Sequence, residues 1–183
     1  MKNKYVAFFL LGLLIAGCQE TQKGDRFTAK DQGFSLSVPN LWEVKENFSG
    51  IRLLVLSPLE SERDVYRENI SVMVEELVKP YTLEEFTSEA VAAVKSSMDS
   101  FEEVSRGEAL IGGEKAFWVS YNYELPEARI QAVSYFLVRE VEGVYYGYYI
   151  TCSSTPLDYS KFAKEFENRV DSFRYEKMVT ETE

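Results

Sequence analysis

The stretches KAFWVSYNYEL (115–125), RIQAVSYFLVREV (129–141) and VYYGYYITC (144–152) decide the fold. Each reads as a β-strand rich in aromatic and β-branched residues. Phe117, Val119 and Tyr121 fall on one side of the first strand and Trp118 on the other. In the third, Tyr146, Tyr148 and Ile150 oppose Tyr145 and Tyr149. An antiparallel strand with one wet face alternates cleanly between apolar and polar. These strands do not, so both faces of their sheet need cover. Gly112-Gly113 before the first strand and Glu142-Gly143 before the third are hairpin signals. The economical solution is one helix on each face: an α+β fold, an α/β/α sandwich with a central antiparallel sheet.

Two segments supply those helices. Thr82 caps one, with Glu85 three residues on, the Thr-x-x-Glu pattern of a capping box. Phe86, Ala90, Val94 and Met98 follow at helical spacing, with Leu83 and Phe101 near the same stripe, which predicts a helix over Thr82–Asp99. The second is predicted over Asp158–Phe173, with Tyr159, Phe162, Phe166, Val170 and Phe173 on one stripe and charges elsewhere. Upstream, Gly33–Pro39 alternates Phe34, Leu36 and Val38 with smaller or polar residues and reads as the first strand, followed by Trp42 in a turn. Ile51–Ser57 and Asn69–Leu77 are further strands. The charged segment Leu59–Glu68 between them reads as a loop, and Val104–Ile111 returns to strand character.

The N-terminus has a different character. Lys2 and Lys4 precede an apolar run from Tyr5 to Ile15, then Ala16-Gly17-Cys18. A spanning helix needs about 20 residues, and this run is too short. It has the order of a secretory signal peptide. Its end, Ile15-Ala16-Gly17-Cys18, resembles the bacterial lipobox, in which the cysteine thiol is diacylated and the chain is cut before it. The expected division is a signal peptide over 1–17, a polar lipid-anchored tether over 18–25, a folded domain over 26–175 and a frayed acidic tail over 176–183. Cys18 is the expected lipidation site and the attachment to a membrane. Gln19 stands where aspartate retains Gram-negative lipoproteins on the inner membrane. The resemblance therefore implies the outer membrane, facing the periplasm, or the outer face of the plasma membrane in a Gram-positive cell.

Composition narrows the chemistry. The 183 residues carry a formal charge of −10 and no histidine. The charge is opposite to that of a nucleic-acid binder. Without imidazole there is no near-neutral proton shuttle, and neither serine nor cysteine has its usual base. Cys152 lies in an apolar strand without electropositive neighbours, and reads as a buried structural residue. The acidic run Glu60-Ser61-Glu62-Arg63-Asp64 lacks the spacing and glycine of a calcium loop. No catalytic residue, cofactor or metal ligand is therefore assigned. The aromatic content, 14%, is the one suggestive excess. Tyr145, Tyr146, Tyr148 and Tyr149 are the candidates for an interaction surface, since tyrosine is enriched at interfaces. The competing reading makes them core under the two helices, and is preferred.

The order of these pieces resembles the PsbP/Mog1 fold, in particular its bacterial lipoprotein members. The matching pieces begin with Gly33-Phe34-Ser35-Leu36-Ser37-Val38-Pro39 with Trp42, Asn69-Ile70-Ser71-Val72 and Leu83-Glu84-Glu85-Phe86. Ile111-Gly112-Gly113-Glu114-Lys115-Ala116, the tyrosine-rich strand ending Ile150-Thr151, and Ser172-Phe173 complete them. Together they span residues 26–174. Relatives of this fold include photosystem II extrinsic subunits and a partner of the Ran GTPase, so the resemblance implies a non-catalytic interaction module that docks a protein partner in the envelope. Metal binding in plant relatives has been linked partly to histidine, and is not carried over to a chain without any. Two other functions stay in view: a carrier or sensor for a small apolar ligand, and a hydrolase relying on carboxylates alone.

Overall fold

The computed structural model describes residues 25–62 and 64–179. The elements run β1 (Arg26–Ala29), β2 (Phe34–Ser37), β3 (Glu43–Phe48), β4 (Ile51–Leu56), β5 (Asn69–Leu77) and α1 (Leu83–Ser97). They continue with β6 (Glu102–Ile111), β7 (Glu114–Glu124), β8 (Arg129–Val141), β9 (Val144–Ser154), α2 (Tyr159–Asp171) and β10 (Arg174–Tyr175). Seven strands form an antiparallel sheet in the order β3-β4-β5-β9-β8-β7-β6. A second, three-stranded antiparallel sheet has the order β1-β2-β10.

Three tight hairpins set the register of the large sheet. Ser49-Gly50, Gly112-Gly113 and Glu142-Gly143 all have positive φ at both central positions. That is the twist-matched turn that joins adjacent right-twisted strands without splaying them. The last two were legible as hairpins. The first was not, because β3 is an exposed edge strand whose residues, EVKENF, show no apolar alternation.

Each face of the large sheet is covered, as its two-sided apolar pattern requires. On one face Phe86 and Ala90 of α1 pack with Val119, Tyr121, Ala132 and Phe136. On the other, Phe166 and Val170 of α2 pack with Leu53, Val55, Ile70, Val72, Leu137, Ile150 and Cys152. Here the expected single helix is only half of the cover. Phe34 and Leu36 of the small sheet, with Phe173, complete that layer and are fully buried. The expected first strand is therefore not part of the central sheet but lies across it.

The tail departs from expectation at its start. The Glu176 amide donates to the Gly33 carbonyl at 2.8 Å and the Val179 amide to the Lys30 carbonyl at 3.0 Å. Arg139 Nη1 donates to the Glu176 carbonyl at 2.7 Å. Residues 176–179 are thus laid against the β1–β2 hairpin and not frayed. Acidic composition gave no sign of this, because the backbone makes the bonds and the side chains do not dictate them.

Both halves of the capping box are present on α1. The Glu85 amide donates to Thr82 Oγ1 at 3.2 Å, and the Thr82 amide donates to a Glu85 carboxylate oxygen at 2.9 Å. The Thr82 amide and hydroxyl hold the Glu85 carboxyl below its ordinary range. Thr82→Ala should therefore cost about 1 kcal/mol in chemical denaturation. A depressed carboxyl contributes stability above its unfolded pKa and loses it as pH falls through the folded value. The difference between Glu85→Gln and the parent should accordingly shrink on acidification below the ordinary glutamate range. A difference that is the same at neutral and acidic pH would count against the carboxylate's part in the cap.

Candidate functional site

The four candidate tyrosines do not make one surface. A strand sends successive side chains to opposite faces. Tyr148 is fully buried in the α2 layer, with ring centroids 5.9 Å from Phe173 and 5.1 Å from Tyr175. Its hydroxyl donates to the Gln32 carbonyl at 2.9 Å. Tyr146 is half-buried at the edge of the same layer. Tyr149 lies on the other face, 5.0 Å from the Phe86 ring, and its hydroxyl donates to Glu75. Tyr145 is half-exposed beside Glu140. Tyr149 packs under α1, whereas Tyr148 packs under the small sheet and Phe173 and not under a helix. Cys152 is also buried, and burial pushes its thiol up, away from the reactive thiolate.

The exposed apolar side chains gather elsewhere, at one end of the large sheet. The pairing registers Glu43↔Leu56, Asn69↔Ser153 and Glu124↔Arg129 place the connections 39–42, 57–68, 125–128 and 155–158 together there. These loops carry Leu41, Leu59, Val65, Leu125 and Leu157, all exposed. A cleft of about 540 Å³ opens between Val65 and Leu157. Val65, Ala128, Pro156 and Leu157 supply its apolar lining, and Glu60, Asp64, Arg129 and Asp158 its charged lining. Leu157, 92% exposed, stands at the start of α2, where the chain turns from β9 into the helix.

A buried polar frame holds these loops in place. Glu68 is 3% exposed and accepts from Ser57 Oγ at 2.9 Å and Ser154 Oγ at 3.3 Å. The Tyr66 hydroxyl shares a hydrogen bond with Ser153 Oγ at 2.8 Å and accepts from Asn69 Nδ2 at 3.0 Å. Arg67 bridges the Ser57 carbonyl and Glu43. The side chain of Arg67 holds the Glu43 carboxyl below its ordinary range. Such satisfied networks fix a loop's shape, since each group would be costly to bury unpaired. The sequence signals for the frame were weak. Glu68 and Tyr66 stand at the end of a charged loop, and only the fold brings Ser153 and Ser154 to them.

The acidic run is engaged in the same frame. Lys161 pairs with Glu60. The Asp64 carboxylate accepts from the amides of Glu60 at 3.0 Å and Tyr66 at 3.2 Å. The carboxylates of Glu60 and Asp64 therefore shape the loop and bind its neighbours. Among the described residues no group of three or more cysteine or acidic side chains converges as a metal site would require.

The family model for PsbP matches residues 23–175. The chain belongs to the PsbP family. Solved structures at low sequence identity share the fold. LpqN of Mycobacterium tuberculosis, described as involved in cell envelope biogenesis, superposes with a TM-score of 0.66 at 12% identity, over 86% of this chain and 87% of LpqN. Cyanobacterial PsbP from Synechocystis sp. PCC 6803 gives a TM-score of 0.58 at 17% identity, over 90% of this chain and 99% of its own. A Pseudomonas aeruginosa protein of unknown function, described as a putative regulator, gives 0.52 at 11% identity, over 87% and 98%. No curated protein sequence matches. Among the described residues of this PsbP-family chain, no helix is long and apolar enough to cross a membrane. Cys18, the expected lipidation site, lies outside the described residues.

Proposed function

We propose that this PsbP-family chain is a lipid-anchored cell-envelope protein that acts by docking a protein partner, not by catalysis. The observation that carries the reading is the loop end of the sheet. Val65 and Leu157 are exposed in the lining of a cleft whose loops are held by buried hydrogen bonds, and Leu59 and Leu125 are exposed on the same loops. Apolar side chains on rigidly supported loops serve recognition better than folding, because their burial waits for a partner. The relation in fold to an envelope-biogenesis protein agrees with the envelope, and the lipobox at Cys18 supplies the anchor. Gln19 favours the outer membrane facing the periplasm in a Gram-negative cell. In a Gram-positive cell the site is the outer face of the plasma membrane.

Two experiments test this. Cys18→Ser should abolish acyl labelling and release the protein from the membrane fraction. Retention with unchanged labelling would refute the anchor. For docking, a photocrosslinking residue at position 157 in intact cells should capture one defined protein, and a second change, Val65→Asp, should reduce that capture at least fivefold without altering stability. Capture indifferent to Val65→Asp would sink the cleft as the docking surface. The cleft volume also falls in the range of small-molecule sites. A carrier would instead bind an apolar fluorophore stoichiometrically in this cleft, and Val65→Asp would abolish that signal. A single carboxylate among Glu60, Asp64 and Asp158 whose loss ends function, with folding and anchoring intact, would point to an enzyme.

A further inference from the structure

We propose that one corner of the domain, where the chain emerges at Asp25 beside Leu41, touches the lipid bilayer, with Leu41 inserted at headgroup level and the Val65–Leu157 cleft left open to a partner. The proposal rests on the reading that Cys18 is acylated. Its first ground is Leu41 itself, which is 91% exposed and has a φ of 68°. The left-handed region is uncomfortable for a residue with a γ-branched side chain and suits glycine or asparagine. Neither backbone conformation nor burial among the described residues favours leucine there. Its side chain gains only from an apolar environment supplied from outside.

The second ground is what adjoins it. A groove of about 290 Å³ runs beside Leu41, with Phe27, Val38, Pro39, Trp42 and Val44 among its walls. Trp42 is held against Phe162 and Phe166, with ring centroids 6.0 Å and 6.4 Å away, so the groove is a fixed feature. Tryptophan is also the residue type that settles at the membrane–water boundary.

The third ground is the leash. The Val38 amide donates to the Asp25 carbonyl at 2.7 Å, which ties the chain's entry to this groove. Cys18 precedes Asp25 by seven residues, and such a segment spans at most about 25 Å when fully extended. The thirteen-residue strand β8 extends roughly 43 Å away from this end. An acylated Cys18 can therefore bring the groove and Leu41 to the lipid, and cannot bring the Glu142-Gly143 turn there. Beside the groove, Glu43 is paired with Arg67 and Lys45, while Asp25 lines the groove itself and keeps the contact acidic. The chain's overall acidity favours zwitterionic over anionic lipid.

The chain has two tryptophans, Trp42 and Trp118. The test uses the full chain made in cells, purified from membranes and reconstituted into phosphatidylethanolamine–phosphatidylcholine vesicles with brominated acyl chains. In Trp118→Phe, emission from Trp42 should fall at least twofold relative to unbrominated vesicles. In Trp42→Phe, emission from Trp118 should not change. Leu41→Asn, which suits the backbone better, should keep or raise stability while at least halving the quenching of Trp42. Three results overturn the proposal. One is an acylated, vesicle-bound protein whose Trp42 is quenched no more than Trp118. Another is a photocrosslinker at position 41 that reaches protein and not lipid in cells, which makes the groove a protein surface. The third is an N-terminal peptide whose mass shows no acyl chains, which removes the anchor reading as well.

Discussion

Phe166→Ala should lower the stability of the domain by about 3–5 kcal/mol, the range for truncating a buried aromatic. Phe166 is 3% exposed on the inner face of α2. Its ring lies 5.8 Å from Tyr159, 6.2 Å from Phe162 and 6.4 Å from Trp42. The neighbours are large rings already packed against one another, so little can move into the vacated volume. The cavity cost should therefore add to the lost transfer free energy. Urea denaturation would show it as a lower midpoint with an unchanged slope. A loss under about 1 kcal/mol would mean that α2 does not seal this layer.

Gly147→Ala should destabilise the opposite face, by about 1–3 kcal/mol, and Gly147→Val by more. Gly147 lies in β9 directly beneath α1. A Cβ atom there would fall 2.3 Å from Phe86 Cζ and 2.4 Å from Phe86 Cε2. Phe86 is the main anchor of α1 and also packs against Phe136 and Tyr149. The helix must then lift or the ring must leave its pocket. Hydrogen exchange should accordingly accelerate in α1 ahead of the β8–β9 core. Because the clash is with one ring, Phe86→Leu should relieve it, and the two substitutions together should cost less than their sum. Strict additivity would show that the ring is not what the new methyl meets.

The resemblance between expectation and fold is greatest where short-range physics decides. β5 and β8 have the expected bounds, and α1 begins at the Thr82 cap with its Glu85 partner in place. β3 escaped because an edge strand exposed on both faces has no reason to alternate. β1 and β10 escaped because strands of four and two residues exist only through their partner, β2. The candidate site was less legible still. Tyr145, Tyr146, Tyr148 and Tyr149 were visible as an aromatic cluster, yet their period of two sends them to different layers. Val65 and Leu157, the cleft's exposed apolar residues, were scattered single leucines and valines in the sequence, with no pattern to join them.

What the sequence determined by itself was the set of local decisions: which segments are strands or helices, where hairpins turn, and that both sheet faces need cover. Those follow from side-chain period, turn stereochemistry and capping, which act over a few residues. The tertiary structure decided which distant groups meet. Tyr148 reaches the Gln32 carbonyl, Arg139 reaches the carbonyls of Gly33 and Glu176, and the Ser37 amide reaches Ser172 Oγ. It also decided that the second helix shares its face with a small sheet, and that four loops converge at the end where the chain enters. Such contacts join residues many tens of positions apart, and their partners are chosen by strand order and packing, which no local pattern encodes.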